Sequence, residues 1–395
     1  MIDIAEAYDR IAAYARPLPG ETVALADAAG RVLSADVLGA VDLPGFDRSS
    51  MDGWAVRSED FASPPVSLPV RGDVAAGSVG DVALEAGTAV VISTGAPMPP
   101  GSDAVLPLED GEQADGVLTS SERVRAKAFV RFRGEDVRTG DLLVPAGARL
   151  TPARLSVVAS GGVAAVEVHR RPRVSVVATG SELVPLGEPL PPGAIYNSNG
   201  PTLTAFARSS GAAVLSPRSV ADDPGSTRDV LGATLDEADV VLVSGGVSVG
   251  GHDLVKETLA DLGVEELFWR VRIKPGKPIF CGRRGDTWVF GLPGNPVSTV
   301  AGFIVFVAPL LSRMQGERFA PPATSQVVLA ADAPNPGERT TYATAQVTDR
   351  GVELTGKQGS HMTKALADAD GFAILPWDRD VVPAGETVEF LPLPA

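Results

Sequence analysis

Cysteine is almost absent from this chain of 395 residues, which has Cys281 as its single thiol. One cysteine cannot form a disulfide or a cysteine-ligated zinc site within one chain. Histidine is scarce too, with only His169, His252 and His361. The composition therefore leaves little material for a histidine metal site or a histidine-dependent catalytic triad.

The chain also lacks an excess of positive charge. Its Lys and Arg residues number 34 and its Asp and Glu residues 49, which gives a formal net charge of −15. Such a balance argues against a general nucleic-acid binder and against an anionic-membrane binder. A small anionic substrate remains compatible with this charge, provided that a local basic cluster receives it.

Long apolar runs are missing as well. The longest, AGFIVFVAPLL at 301–311, is too short to span a bilayer. The first residues, MIDIAEAYDRIAAYARPL, have no charged start followed by an apolar stretch, so they do not resemble a signal peptide. We therefore expect a cytoplasmic protein with no membrane partner.

Three regions with different sequence patterns follow one another along the chain. Ile4 and Ile11 lie at helical spacing, and short β-type runs between turns then extend from about 40 to 147. Thr151 followed by Pro152 is typical of a helix start, with the threonine as N-cap. The first part of the chain is thus predicted to be a helical and β-rich region.

From residue 173 onwards, strand and helix patterns alternate. Apolar runs at 173–180, 212–220 and 238–246 predict strands, and WVFGLPGNP at 288–296 predicts a further strand and the loop after it. A helix is expected to start near Pro201. Repeated β-α units indicate a doubly wound, mostly parallel sheet. Polar–apolar alternation returns from about 320, so the predicted fold class is a multidomain α/β protein with a small C-terminal β domain.

Unusual loops follow three of the predicted strands: ATGSEL (178–183), SGGVSVGGHD (244–253) and GLPGNP (291–296). Ligands of open α/β sheets bind beyond the carboxyl ends of the strands. Glycines let a backbone approach a ligand closely, and a helix N-terminus offers partial positive charge to an anion. A plain tight turn explains the glycines of the second loop equally well.

Two carboxylates in these loops are candidate ligands for a metal ion. Asp253 stands where an N-cap belongs, and the residues alone favour that simpler role. Glu182 is a second carboxylate at the same predicted sheet edge, and Mg²⁺ at a phosphate site usually takes one or two carboxylates. In the third loop, Asn295 as N-cap with Pro296 after it explains two residues without any ligand.

A basic stretch, RVRIKPGKPIFCGRR at 270–284, supplies the local cluster that the overall charge lacks. Lys274 and Lys277 lie in its KPGKP turn, where prolines restrict the backbone. A solvated hairpin is the simpler interpretation. In so acidic a chain, a clamp for phosphate or another oxyanion is favoured.

Taken together, the ordered motifs resemble one family, the MoeA-type molybdopterin molybdenumtransferases, which include the E domain of gephyrin. The matching segments cover nearly the whole chain in the family's order. They are LPGFDRSSMDGWAV (43–56), STGAPMPPGSDAV (93–105), VVATGSEL (176–183), PPGAIYNSN (191–199), ADVVLVSGGVSVGGHD (238–253), IKPGKP (273–278), GLPGNPVS (291–298) and TGKQGSH (355–361).

The resemblance implies a domain order and a reaction. Residues 1–170 would form an N-terminal helical and β region with an inserted β domain at about 45–140. Residues 171–315 would form the molybdopterin-binding α/β domain, and 320–395 a β-barrel-like domain. The implied protein is a homodimer with an active cleft shared between subunits. It would hydrolyse adenylylated molybdopterin, release AMP and insert molybdenum from molybdate into the dithiolene, assisted by Mg²⁺.

The resemblance also assigns residues. The catalytic residues implied are Asp52, Thr94, Glu182, Asp222 and Asp253, of which Glu182 and Asp253 would also be metal ligands. The substrate-binding residues implied are Gly245, Gly246, Ser248, Gly250, Lys274, Lys277, Pro293, Asn295 and Ser360. Ser360 would reach the ligand from the partner's C-terminal domain.

One departure concerns molybdate binding. The family often has an arginine about sixteen to twenty-one positions before the serine that matches Ser360, and the alignment places Thr344 there, with Arg339 slightly upstream. Lys357 in TGKQGSH is a further difference. Either the charge has moved between loops, or these changes mark a paralogue with altered substrate handling.

Two other functions are compatible with parts of the sequence. One is molybdopterin adenylylation, the preceding step, which uses the same α/β domain and whose enzyme is a candidate partner. The other is a non-catalytic scaffold, since the gephyrin E domain also anchors receptors. The additional N- and C-terminal regions argue against the first, and the retained carboxylates against the second.

Overall fold

The computed structural model describes residues 1–78, 82–246 and 254–394. The chain divides into two compact units. The first unit comprises Met1–Glu21 and His169–Ala395, and the second comprises Thr22–Val168.

The first unit is organised around a seven-stranded sheet. From one edge to the other its strands are Ala213–Val214 with Arg218–Val220, then Arg173–Thr179, Val240–Ser244, Thr287–Leu292, Phe280–Arg284 and Glu265–Trp269. The strands before Phe280–Arg284 pair in parallel, and the last two pairings are antiparallel. The run 212–220 forms two short strands rather than one, because Pro217 has no N–H for the ladder.

The sheet is covered on both faces, as its apolar runs predict. Along Val240–Ser244, Val240 and Leu242 pack into one buried cluster, while Val241 and Val243 pack into another. Successive side chains of a strand point to opposite faces, so a strand buried on both sides is continuously apolar. The predicted doubly wound α/β architecture is confirmed.

Helices of the first unit supply the two covering layers. They are Ile4–Ala12, Asn199–Ser209, Pro224–Glu237, Leu254–Asp261, Pro296–Gly302, Ala308–Met314 and Thr363–Ala367. The helix expected near Pro201 begins two residues earlier, at Asn199. That shift brings the Asn199 side chain into the first helical turn.

One apolar helix of the first unit has the length of a membrane-spanning segment. The segment Pro296–Met314 is helical throughout, with a π-helical turn at Phe303–Val307, and the Tyr8 hydroxyl donates to the Val305 carbonyl. Its 19 residues are long and apolar enough to cross a membrane, which corrects the expectation based on the length of 301–311. However, 83% of its apolar window is buried, which is typical of a core helix.

The C-terminal part of the first unit forms a separate six-stranded sheet. Its strands are Ile273–Lys274, Thr340–Thr348, Gly351–Leu354, Gly371–Leu375, Thr387–Pro392 and Ser325–Val328. Short pairs outside the two sheets are Leu183–Val184 with Ile195–Tyr196, and Ala333–Pro334 with Val381–Val382. The basic stretch is therefore not a free hairpin, because Ile273–Lys274 pairs in parallel with Thr340 and Thr341.

The second unit is rich in β-structure. Its six-stranded sheet runs in the order Ala104–Pro107, Gly53–Val56, Ala89–Ile92, Val66–Val74, Val117–Ser120 and Glu112–Ala114. Shorter strands are Val37–Leu38, Arg48–Ser49, Val130–Arg131 and Leu142–Val144, and Gly20–Ala24 and Ala165–His169 lie at the limits of the unit. The helix Pro152–Ser160 begins as predicted, with the Thr151 hydroxyl accepting from the Arg154 amide.

Candidate functional site

A cleft of about 1160 Å³ opens at the carboxyl edge of the parallel sheet, within the first unit. Ala178 pairs with Ser244, and Ser244 with Leu292, so the three strands end in register. The described parts of the loops that follow them, the second only as far as Gly246, meet the segment 358–361 around this cleft. The convergence expected from three unusual loops is therefore observed.

Gly245 and Gly246 line the cleft in a conformation that requires glycine. Their φ angles are +94° and +66°, and a Cβ on Gly245 would lie 2.6 Å from the Thr179 carbonyl oxygen. The Gly245 amide donates to the Leu292 carbonyl at 3.0 Å. That amide is consequently not free for a ligand, and the glycine serves loop packing and close approach instead.

Three further predicted site residues belong to the same loop, after Gly246. Ser248, Gly250 and Asp253 lie outside the described residues. The choice between an N-cap and a metal ligand for Asp253 therefore stays a prediction.

Glu182 and Asp222 form the acidic side of the cleft. The Ser181 amide donates to the Asp222 carboxylate at 3.2 Å, and the Asp222 amide donates to the Ser181 hydroxyl at 3.0 Å. The next residue, Asp223, caps the helix Pro224–Glu237, and hydrogen bonds from the backbone and hydroxyl of Ser226 lower its pKa. Because Asp223 takes the capping role, Asp222 is left facing the cleft.

Lys274, Lys277 and Arg339 form the basic side of the same cleft. Among the described residues, neither lysine is held in an ion pair. Arg339 donates to the Ile273 carbonyl at 3.2 Å, which uses one of its five N–H groups. Three cations with spare donors can bind a doubly charged oxyanion.

Thr344, which the alignment placed at the family's arginine position, is held by hydrogen bonds to Gln358. It is buried at 3% exposure, and its amide donates to the Gln358 side-chain oxygen at 3.0 Å. The Gln358 amide nitrogen donates back to the Thr344 carbonyl at 2.9 Å. Arg339, directly before the strand Thr340–Thr348, therefore presents the cation to the cleft.

Asn295 and Ser360 meet across the cleft. Asn295 is the N-cap residue as predicted, but its side chain makes no cap bond and donates to the Ser360 hydroxyl at 2.9 Å. The Val297 amide donates to the Ser360 carbonyl at 3.1 Å. Ser360 thus lines the cleft of its own chain. Its expected contact with a ligand of the partner subunit stays a prediction. Pro293 is buried and lines the cleft with Asn295 and Ser360.

Asp52 and Thr94 are brought together in the second unit. The Thr94 amide donates to an Asp52 carboxylate oxygen at 2.6 Å, although the two residues are 42 positions apart. Both side chains are exposed. The sequence did not predict this pairing, and the catalytic roles that the resemblance implies for both residues stay predictions.

Two features of the cleft escaped sequence reasoning. Ile195 and Tyr196 expose 55% and 40% of their surface and line the cleft, which gives it an apolar wall. Asn199 also lines it, although it is only 8% exposed. All three lie in the PPGAIYNSN stretch, whose helix start was placed two residues too late.

Residues that could hold a metal ion are limited in the described ranges. Within them, no group of three or more His, Cys, Asp or Glu side chains lies close enough to bind one. Glu182 and Asp222 line the cleft as separate carboxylates. They fit a cation that takes most of its remaining ligands from phosphate oxygens and water, which is the usual arrangement for Mg²⁺.

Comparison with known families accounts for nearly the whole chain. Residues 2–162 match the MoeA N-terminal region (domain I and II). Residues 175–313 match the model described as "Probable molybdopterin binding domain", and 326–393 match the MoeA C-terminal region (domain IV).

Full-length relatives agree with these matches. A molybdopterin molybdenumtransferase from Haemophilus influenzae is 36% identical over 385 residues, which is 95% of each chain. The chain belongs to the MoeA family. The family predicted from the ordered motifs is therefore confirmed.

Two further comparisons support the same assignment. The molybdopterin molybdenumtransferase 2 of Mycobacterium tuberculosis is 37% identical over 93% of this chain and 94% of its own. A solved structure of a molybdopterin biosynthesis MoeA protein from Pyrococcus horikoshii has a TM-score of 0.87 at 32% identity, covering 99% of both chains. The fold described above is thus the MoeA fold along its full length.

Proposed function

We propose that this MoeA-family chain is a molybdopterin molybdenumtransferase. It takes adenylylated molybdopterin and molybdate, cleaves the pyrophosphate link with water, releases AMP and places molybdenum in the dithiolene. One observation carries the proposal: a single cleft combines the carboxylates Glu182 and Asp222 with the cations Lys274, Lys277 and Arg339. The match to the MoeA N- and C-terminal regions favours this activity over adenylylation. The full-length relatives named molybdopterin molybdenumtransferase favour it over a scaffold role.

The acidic side of the cleft binds the pyrophosphate end of the substrate through a divalent cation. We propose Mg²⁺ held by Glu182, with Asp253 as the second protein ligand and Asp222 beside it. When bound, such a cation offsets phosphate charge and polarises the phosphorus atom under attack. Two hydrogen bonds between Ser181 and Asp222 join the loops that carry these carboxylates. Glu182 and Asp222 together orient this end of the substrate.

The basic side of the cleft binds molybdate. Lys274 and Lys277 supply point charges, and the planar guanidinium of Arg339 supplies paired donors for two oxygens. Ser360 and Asn295 hold the neighbouring loop through their mutual hydrogen bond. Gly245, Gly246 and Gly250 let the phosphate-bearing pterin approach the backbone. Ser248 of the same loop and Pro293 of the GLPGNP loop contact the pterin as well.

The second unit contributes Asp52 and Thr94 to the reaction. We propose a homodimer whose shared clefts bring these residues to the substrate, in keeping with the implied family arrangement. We further propose a cytoplasmic location and an upstream adenylyltransferase as the supplier of the substrate. We also propose three domains. They are residues 1–170 with an inserted β domain at about 45–140, residues 171–315, and residues 320–395.

The deciding experiment measures AMP release from adenylylated molybdopterin with Mg²⁺, with and without molybdate. Molybdate-dependent AMP release with formation of active cofactor is the expected result. Consumption of ATP with molybdopterin would indicate the adenylyltransferase instead. Binding of the adenylylated pterin without turnover would indicate a scaffold or paralogue.

The homodimer has its own test. Light scattering at micromolar concentration is expected to give twice the chain mass of 40.7 kDa. A strict monomer that still releases AMP would rule out the shared cleft.

A further inference from the structure

Asn199 joins two of the loops that form the cleft. Its side-chain nitrogen donates to the Ser244 hydroxyl at 2.8 Å and to the Gly294 carbonyl at 2.7 Å. A side-chain amide has two N–H donors, so both are used. These two bonds fix the orientation of the amide, and the residue is 8% exposed.

The two bonded groups belong to different strand-end loops. Ser244 ends the strand Val240–Ser244, and Gly294 lies in the GLPGNP loop after Thr287–Leu292. Between these loops the Gly245 amide donates to the Leu292 carbonyl at 3.0 Å, and a Cβ on Gly294 would lie 3.9 Å from the Gly245 Cα. Asn199 therefore bridges the loops where their backbones touch.

We propose that Asn199 is a positioning residue that sets the spacing between the glycine-rich loop and the GLPGNP loop. This spacing determines whether one ligand can contact Gly246 and Asn295 at the same time. The claim about the ligand rests on the proposed function, whereas the claim about the loops does not.

The role depends on donors rather than on shape, which makes it separable from simple packing. Asn199→Asp keeps the size of the side chain but replaces both N–H groups by a carboxylate oxygen. That oxygen would face the Gly294 carbonyl, which can only accept. Asn199→Ala removes the same donors without burying a charge, so agreement between the two variants assigns the effect to the donors.

Gln315 provides a matched control for loss of a buried amide. It is 7% exposed, and its side-chain nitrogen donates to the Ser210 and Leu311 carbonyls at 2.8 and 2.9 Å. It does not line the cleft. Gln315→Ala should lower the melting temperature through the same kind of loss without altering the strand-end loops.

The first measurement is hydrogen exchange by mass spectrometry on the full-length protein. We expect the Gly245 amide to exchange faster in Asn199→Ala and Asn199→Asp than in the native protein and in Gln315→Ala. Equal exchange at Gly245 in Asn199→Ala and Gln315→Ala would overturn the proposal. Native exchange in Asn199→Asp would overturn it as well.

The second measurement is AMP release from adenylylated molybdopterin. A displacement of about 1 Å at a reacting group costs roughly 100-fold in rate, so kcat/KM should fall by about that factor in both Asn199 variants. Gln315→Ala should keep the native value. Ser244→Ala added to Asn199→Ala should cost little more, because contacting residues are not additive.

The two measurements separate the failure modes. If the native protein releases no AMP, the proposed function fails, and the exchange result alone decides the positioning role. If AMP release is normal in Asn199→Ala while Gly245 exchanges faster, the loops are held by Asn199 but the link to the ligand is wrong.

Discussion

The side-chain nitrogen of Asn295 lies 2.9 Å from the Ser360 hydroxyl and donates a hydrogen bond to it across 65 positions of sequence. Ser360 in turn accepts the Val297 amide through its carbonyl. The start of the helix Pro296–Gly302 is thus completed by the C-terminal loop rather than by its own N-cap side chain. A substitution of Asn295 or Ser360 should therefore disturb the segment that carries the other residue.

Removing this contact is expected to impair molybdate use. Ser360→Ala and Asn295→Ala should each raise the KM for molybdate roughly tenfold, the equivalent of about 1.4 kcal/mol, because the loop loses its anchor. The double variant should resemble either single one in steady-state AMP release. Additive effects would show that the two residues act independently.

Neutralising the KPGKP lysines tests the oxyanion clamp. Lys274→Gln or Lys277→Gln should raise the KM for molybdate roughly tenfold while leaving the melting temperature unchanged, since neither lysine is in an ion pair among the described residues. Lys364→Gln is the matched control, because that side chain is 82% exposed and pairs with Asp368. An equal effect of all three changes would point to general charge rather than to a clamp.

Substitutions at Arg339 and Thr344 should have different effects, the first on molybdate binding and the second on stability. Arg339→Lys keeps the charge but loses the planar fork, so the KM for molybdate should rise in AMP-release kinetics. Thr344→Val should instead lower the free energy of unfolding by about 1 kcal/mol, because the hydroxyl bond to Gln358 is lost. A large rise in KM in Thr344→Val alone would mean that the alignment-based assignment was right.

Asp52 should be needed for turnover more than for folding. Asp52→Asn keeps an oxygen to accept the Thr94 amide, so the melting temperature should stay near native while kcat falls at least roughly 100-fold. Asp52→Ala loses the acceptor and should also destabilise the loop. Native turnover in Asp52→Asn would remove this residue from the reaction.

Asp239 should make the first unit sensitive to acid. Burial raises its pKa, but hydrogen bonds from Arg170 and Arg173 outweigh burial and bring the pKa from 3.8 down to about 2. A lowered pKa in the folded state means that the ionised form stabilises the fold above pH 3.8. That contribution is lost as pH falls from 3.8 towards 2.

Asp239→Asn should accordingly lower the free energy of unfolding near pH 7 by about 2 kcal/mol. The difference from the native protein should shrink in denaturant titrations at pH 3. Asp261→Asn breaks an exposed pair with Arg228 and should change little at either pH. A constant difference across pH would assign the loss to packing instead.

Much of the fold could be predicted because the relevant signals are local. The apolar run through Val240 to Val243 indicated a strand buried on both faces, and Thr151 marked a helix start that the structure contains. The segment 129–134 was less predictable, since only Val130–Arg131 is a strand and Phe129 has a φ of +55°. Such backbone changes depend on neighbours that the local pattern does not include.

By itself, the sequence determined which loops would follow which strands, that glycines and carboxylates would lie in those loops, and that two lysines would lie in the KPGKP turn. The tertiary structure alone decided what those groups touch. It closed the Gly245 amide onto Leu292, joined Ser360 to Asn295 within one chain, and placed Arg339, just before the strand Thr340–Thr348, in the cleft lining. Periodicity and capping act over a few residues, whereas these contacts join segments tens of positions apart, so only the packed fold specifies them.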